Sequence, residues 1–255
     1  MKKILKNNSN IIELLNGNLF DSRMKFDISN LATSEPLNRI ESLLKITHGY
    51  KVIHIGCGDH LELIDDKIKK KIHLHSLLIE SSSDCIGFDL EEKSINHLKS
   101  KYKINQVYKA DITDEVFDFK NFNKNTDWDF IILGEIIEHL NDPIGFLKCI
   151  KNKFTSYSNE ILITAPNAYS YQHVLSYNKD KVELINSDHR FWFTPYTLLK
   201  IISLSGIEVN ELYFADPATN HQKSFFKKII KSFSPSYSKF HPSHLSSTLI
   251  ARCKL

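Results

Sequence analysis

Two carboxylates and an imidazole crowd one short stretch of this chain, Gly134-Glu135-Ile136-Ile137-Glu138-His139. Residues three and four apart share a helix face, so a helix opening at Gly134 would direct Glu135, Glu138 and His139 the same way. Oxygen-rich ligation with an imidazole suits Mg²⁺, Mn²⁺ or Fe²⁺ more than a structural zinc. Equally, the imidazole can take a proton as a general base. A third use is structural, because acids in a first helical turn complement the helix dipole. A second set of residues is spread over three places: Gly56-Cys57-Gly58, Asp89, and Asp111-Ile112. Glycines let a backbone approach a bound group closely. A carboxylate after a strand can accept both hydrogen bonds of a ribose diol or meet an exocyclic amine. Taken singly, Asp89 also reads as a helix N-cap and Asp111 as a turn residue.

Position decides between these readings. Apolar runs at Val52–Ile55, Cys85–Phe88, Gln106–Ala110, Trp128–Leu133 and Glu160–Thr164 alternate with helical patterns. This alternation predicts βαβ units and a mostly parallel sheet. Gly56, Asp89, Asp111 and Gly134 then each follow a strand, at the sheet edge where ligands bind in open α/β folds. Thr194-Pro195 predicts an N-cap with proline at the first helical position. Ile207–Phe214 and Ser247–Cys253 read as two further strands, an antiparallel pair at the sheet edge. Residues 61–83 read as a polar, lysine-rich helical excursion, whose His73 and His75 are expected on the surface first, or reaching the ligand-binding mouth as the alternative.

Composition narrows the possibilities. The 255 residues suffice for one full core, and a net charge of +3 is too small to imply nucleic acid by itself. Met1-Lys-Lys-Ile-Leu-Lys carries no apolar signal region, no run spans a membrane, and the four cysteines lack metal-like or paired spacing, so a reduced cytoplasm is the expected setting. Leu61 stands where a dinucleotide fingerprint needs its third glycine, which counts against NAD.

The order of motifs resembles the class I S-adenosylmethionine-dependent methyltransferases. Val52-Ile-His-Ile-Gly-Cys-Gly58, Gly87-Phe-Asp89, Ala110-Asp-Ile112, Gly134-Glu-Ile-Ile-Glu-His-Leu140, Ile163-Thr-Ala-Pro-Asn167 and Asp188–Leu198 carry the likeness. It implies an α/β fold: a three-layer αβα Rossmann-like sandwich whose seven-stranded, mostly parallel sheet has an antiparallel edge strand. The methyltransferase domain would run over 37–255, with insertions at about 61–83, 167–188 and 217–246, after an N-terminal extension at 1–36. The resemblance places S-adenosylmethionine against Gly56, Cys57, Gly58, Asp89, Leu90, Asp111, Ile112 and Gly134. Two branches share Glu-x-x-Glu-His, the ubiquinone-pathway O-methyltransferases and the small-RNA 2′-O-methyltransferases. In the latter, both Glu and the His, with a later His, hold a divalent metal. The matching set here is Glu135, Glu138, His139 and His189, taking Mg²⁺ or Mn²⁺, with Glu135, His139 and His189 as the catalytic candidates.

The chain departs from the family at His54, where an acid is usual, and at His60, where a third glycine is common. His54 is read first as a strand histidine without a role and second as a cofactor contact, and His60 as contacting substrate or facing solvent. The aromatic and amide side chains of Asn167, Tyr169, Tyr171, Gln172, His173 and Tyr177 suit a sugar or another hydroxylated ring. The expected acceptor is therefore a small molecule or glycan precursor, O-methylated at a hydroxyl. An RNA 2′-O-methyltransferase and a catalytically silent cofactor-binding protein are the alternatives, with nucleic acid the less favoured partner. Residues 223–233, interleaving lysine and apolar side chains, read as a packed helix with a solvated lysine face or as a peripheral membrane contact.

Overall fold

The computed structural model describes residues 9–28, 37–124, 126–217 and 245–255. The 223–233 segment lies outside the described residues, as do most of the 217–246 insertion and residues 1–8 and 29–36 of the N-terminal extension. Strands β1 (Lys51–Ile55), β2 (Asp84–Asp89), β3 (Val107–Lys109), β4 (Trp128–Gly134), β5 (Ser158–Pro166), β6 (Glu208–Ala215) and β7 (Thr248–Lys254) form one seven-stranded sheet in the order β3-β2-β1-β4-β5-β7-β6. The first five are parallel, while β7 lies antiparallel between β5 and β6. This is the expected Rossmann-like class.

Helices cover both faces because the central strands are apolar on both. In β1, Ile53 and Ile55 belong to one core with Leu147, Ile150 and Phe154 of α6 (Pro143–Phe154) and with Leu198, Leu199 and Ile202 of α8 (Pro195–Leu204). Val52 belongs to the other, with Leu43 of α2 (Arg39–Thr47) and Leu74 and Leu78 of α4 (Leu74–Ser81). Side chains alternate along a strand, so His54 shares the face of Val52 and meets α4. A third cluster packs α3 (Leu61–Lys69) against α5 (Glu92–Tyr102) through Ile64, Ile95 and Leu98. Ahead of the sheet, α1 (Ser9–Asn16) docks on α8, with Leu15 buried and Lys200 donating to the Leu14 carbonyl. Among the described residues no helix is long and apolar enough to cross a membrane.

Three local expectations change. The excursion at 61–83 is two helices, broken at Lys70–His73, where Lys71 takes a positive φ of 56°. His73 and His75 are not on the surface: α4 lays its apolar side on the sheet, leaving them 2% and 0% exposed. No α-helix opens at Gly134. Glu135 adopts the left-handed conformation, φ 56°, followed by a short 3₁₀ turn at Ile137–His139. The α-helix waits for Asp142-Pro143, where Asp142 accepts the Gly145 amide as N-cap and proline takes the first turn.

The end of β2 is braced by aromatic side chains. Phe88 is fully buried, and its ring meets those of Tyr108, Phe117, Phe119 and Phe122 at centroid distances of 5.2–6.0 Å. Phe88→Ala should therefore lower the unfolding free energy by about 3–5 kcal/mol in denaturant titration. A loss below about 1 kcal/mol would mean that the ring cluster does not hold the strand end.

Candidate active site

β1 hydrogen-bonds to β2 on one side and β4 on the other. The chain therefore leaves these strands in opposite directions and a crevice opens beyond their carboxyl ends. A cleft of about 720 Å³ lies there, lined by Arg39, His54, Gly56, Cys57, Asp89, Gly134, Glu135, Glu138, His139 and His189, among others.

The glycines keep its floor open. Gly56 turns the chain at φ 79°, and a Cβ there would lie 2.5 Å from the Ile136 side chain. Gly58 donates its amide to Asp89 Oδ2 at 2.7 Å, and a Cβ there would meet the same carboxylate at 2.9 Å. Asp89 Oδ1 accepts the Glu91 amide, so this carboxylate ties the glycine turn to the start of α5. Leu90, beside it, is exposed and outside the lining. Also outside the lining are Asp111, whose Oδ1 accepts from the Thr113 amide and hydroxyl, and Ile112, which is buried in the core. Thr113 also holds the Asp111 carboxyl below its ordinary pKa.

Across the cleft, Glu138, His139 and His189 converge, with one ligand atom from each lying within 4.8 Å of the others. Glu138 Oε1 is 4.0 Å from Nε2 of His139 and from Nε2 of His189, and the two rings stand edge to face at 4.7 Å. The loop carrying His189 is clamped to the turn carrying the other two. The Glu138 carbonyl accepts from the Arg190 and Phe191 amides, and the Arg190 guanidinium donates to the His139 carbonyl.

Glu138 is fully buried, and neither carboxylate oxygen has a hydrogen-bond partner. Desolvation, followed by the nearby Glu135 charge, pushes its pKa to about 8 against the ordinary 4.5. Burial lowers the pKa of both imidazoles, while the Asp188 carbonyl and carboxylate partly oppose this at His139. Two neutral imidazoles and a buried carboxylate without partners fit a divalent cation, which would supply the missing counter-charge.

Glu135 stands apart from this trio. Its left-handed backbone, held by the amide's hydrogen bonds to Thr164 carbonyl and Oγ1, turns the side chain to Arg39, 3.5 Å away. Arg39 carried no signal in the sequence, because its partners are distant: Asp216 accepts the Arg39 amide from 177 residues away. Asn186, which also lines the cleft, was likewise not singled out. Among the proposed acceptor contacts, Asn167 is buried and holds the Ser246 carbonyl, and His173 packs on Trp192, whereas Tyr169 and Tyr177 are exposed.

A family model described as a methyltransferase domain matches residues 25–212. No curated protein matches the sequence. Among solved structures, the small RNA methyltransferase HEN1 is similar over 92% of this chain and 27% of its own, at 19% identity and a TM-score of 0.52. A candidate methyltransferase from Bacillus halodurans is similar over 85% of this chain and 98% of its own, at 14% identity and a TM-score of 0.49. An S-adenosylmethionine-dependent methyltransferase from Mesorhizobium loti is similar over 85% and 95%, at 11% identity and a TM-score of 0.47.

The raised pKa of Glu138 has a signed consequence for stability. Between the ordinary carboxylate range and about pH 8, the native carboxyl keeps a proton that the unfolded chain has released, so stability falls as pH rises. The depressed histidines act only below about pH 6.5, where the unfolded chain charges them first. In metal-free buffer, the wild type should thus lose roughly 2 kcal/mol relative to Glu138→Gln between about pH 6.5 and 8. Denaturant titrations of both forms at several pH values measure this, and parallel curves would contradict the buried, unpaired carboxylate.

Proposed function

The chain belongs to the methyltransferase-domain family of S-adenosylmethionine-dependent enzymes, and on that premise we propose that it O-methylates a hydroxylated acceptor, first a sugar or glycan precursor. The observation that supports this is the convergence of Glu138, His139 and His189 beside the glycine turn. The Gly56–Gly58 turn and Asp89 take the cofactor on one side of the cleft, and the trio takes the hydroxyl on the other. Binding both in one cleft converts a bimolecular transfer into an oriented one. The transfer forms an oxygen–methyl bond and breaks the sulfur–methyl bond, whose electron pair stays on sulfur as S-adenosylhomocysteine leaves. His139 and His189, kept neutral by burial, are the proton acceptors of the trio. Glu138 is protonated below about pH 8 unless a cation takes up its charge.

Glu138, His139 and His189 would hold that cation, Mg²⁺ or Mn²⁺. Its chemistry would be to make a bound hydroxyl more acidic and to orient a vicinal diol. Arg190, by holding the His139 carbonyl, ties the His189 loop to the turn that carries Glu138 and His139.

The same diol chemistry supports a second reading, 2′-O-methylation of RNA. HEN1 is described as a small RNA methyltransferase, and its likeness to this chain is one of fold.

S-adenosylhomocysteine should raise the thermal midpoint of the protein, and NADH should not; no response to the former sinks the reading. Removing divalent cations with a chelator should depress methyl transfer by about 100-fold or more, with Mn²⁺ or Mg²⁺ restoring it in the wild type but not in Glu138→Ala. Equal metal responses in the two forms would remove the cation and leave the imidazoles as bases. Mass spectrometry for the gain of one CH₂ across glycan precursors and RNA separates the acceptors.

A further inference from the structure

His189 turns its Nε2 toward Glu138, 4.0 Å from Oε1. To ligate a cation or to take a proton, the ring needs its lone pair on that nitrogen. A ring that burial keeps neutral must then carry its hydrogen on Nδ1. That Nδ1 is sealed from solvent and finds no hydrogen-bond partner among the described residues. His139 differs, because the Asp188 carbonyl accepts a hydrogen bond from it. A histidine ligand normally hands its second N–H to a carboxylate, a carbonyl or water, which fixes both tautomer and ring orientation. His189 lacks such an oxygen, although buried polar atoms rarely go unpaired.

Beside the ring stands Trp192, at a centroid distance of 6.1 Å and an interplanar angle of 83°. Aromatic faces are negative, and indole offers the strongest of them. Trp192 is itself held in place. Its indole N–H donates to Glu183 Oε1 at 2.7 Å, and the His173 ring packs edge to face on it at 4.3 Å. His173 is fixed in turn, with Nδ1 3.3 Å from the carbonyl of Asn167, which is buried just beyond β5. The main chain is pinned on both sides of Trp192. The Glu138 carbonyl accepts the Arg190 and Phe191 amides, and the Phe193 carbonyl accepts the Ala168 amide. A carboxylate on the indole N–H also polarises the ring and strengthens its face as an acceptor.

We infer that Trp192 orients His189: the indole face receives Nδ1–H in place of an oxygen, and Glu183 and His173 hold the indole there. This rests on the reading of Glu138, His139 and His189 as the trio that meets the acceptor. Trp192, Glu183 and His173 are positioning residues, since none of them lines the cleft. Through them the segment that follows β5 sets the direction in which His189 presents its lone pair.

Nitrogen-15 histidine spectra in metal-free buffer, with His189 assigned through His189→Gln, test the orientation directly. The wild type should show His189 in its Nδ1–H form, with that proton shifted upfield by the indole ring current. Trwo variants separate the face from mere bulk: Trp192→Leu should abolish the shift and release the tautomer, whereas Trp192→Phe, which keeps a weaker face, should retain the Nδ1–H form. Mn²⁺ binding followed by electron paramagnetic resonance gives a second readout. The cation should bind about 10- to 100-fold more weakly in Trp192→Leu, and Trp192→Phe and Glu183→Gln should lie between that variant and the wild type. The affinity for S-adenosylhomocysteine should stay the same in all of them. A His189 tautomer unmoved by Trp192→Leu overturns the inference. So does an equal loss of S-adenosylhomocysteine binding, which would make Trp192 a packing residue only. If the wild type binds no Mn²⁺, the cation reading fails, and the tautomers alone decide whether Trp192 orients His189.

Discussion

The position of β1 between β2 and β4 is the constraint on which the site depends. Because parallel neighbours are joined by crossovers that travel away from one another at this point, neither the crossover after β1 nor that after β4 closes the space beyond Ile55 and Gly134. The sheet itself is held by apolar strands buried on both faces, so this gap is set by the most stable part of the molecule. Gly56 and Cys57 line it after β1, Glu135, Glu138 and His139 after β4, and Asp89 at the end of β2. Each of these residues meets the cleft from the end of a strand or the turn after it, where main-chain position is tightly determined.

Burial at that gap sets the chemistry. A carboxylate without a hydrogen-bond partner is costly in a protein interior, and Glu138 has none on either oxygen. Protonation reduces the cost, in keeping with a pKa pushed up to about 8 by burial, and a cation shared with His139 and His189 would do the same. Such a group does not improve the fold of the empty protein, which is why its presence points to function rather than stability. The backbone supports the same conclusion. Glu138 uses its own carbonyl to hold the Arg190 and Phe191 amides, so the main chain that positions the carboxylate also positions the second imidazole.

What could be read in the sequence was local or periodic. The run Trp128–Leu133 announces β4, Thr194-Pro195 the start of α8, and glycine and aspartate after successive strands a ligand-binding edge. The parts that escaped depend on distant contacts. His75 is buried only because α4 lies on the face of β1 that carries His54. Arg39 reaches the site only because Asp216, at the far end of the chain, anchors its amide. The helix expected at Gly134 fails for a local reason that its spacing hides. Glu135 is drawn to Thr164 on β5, and Asp142-Pro143 offers a better helix start a few residues later. The spacing of Glu135, Glu138 and His139 therefore suggested a shared face that the backbone does not provide.

That break divides the acidic residues between two tasks. On a continuous helix, Glu135 and Glu138 would point the same way, and two buried carboxylates side by side would repel. The left-handed step at Glu135 separates them, giving one to Arg39 and one to the imidazoles. A carboxylate in place of His54 would upset this division. It would stand beside the Arg39 guanidinium, compete with Glu135 for it, and add a further negative charge to a cleft whose Glu138 already resists ionisation. A neutral imidazole at position 54 avoids the competition and still offers a hydrogen bond. The imidazole at position 54 thus leaves Glu135, turned by its left-handed backbone, as the carboxylate that faces Arg39.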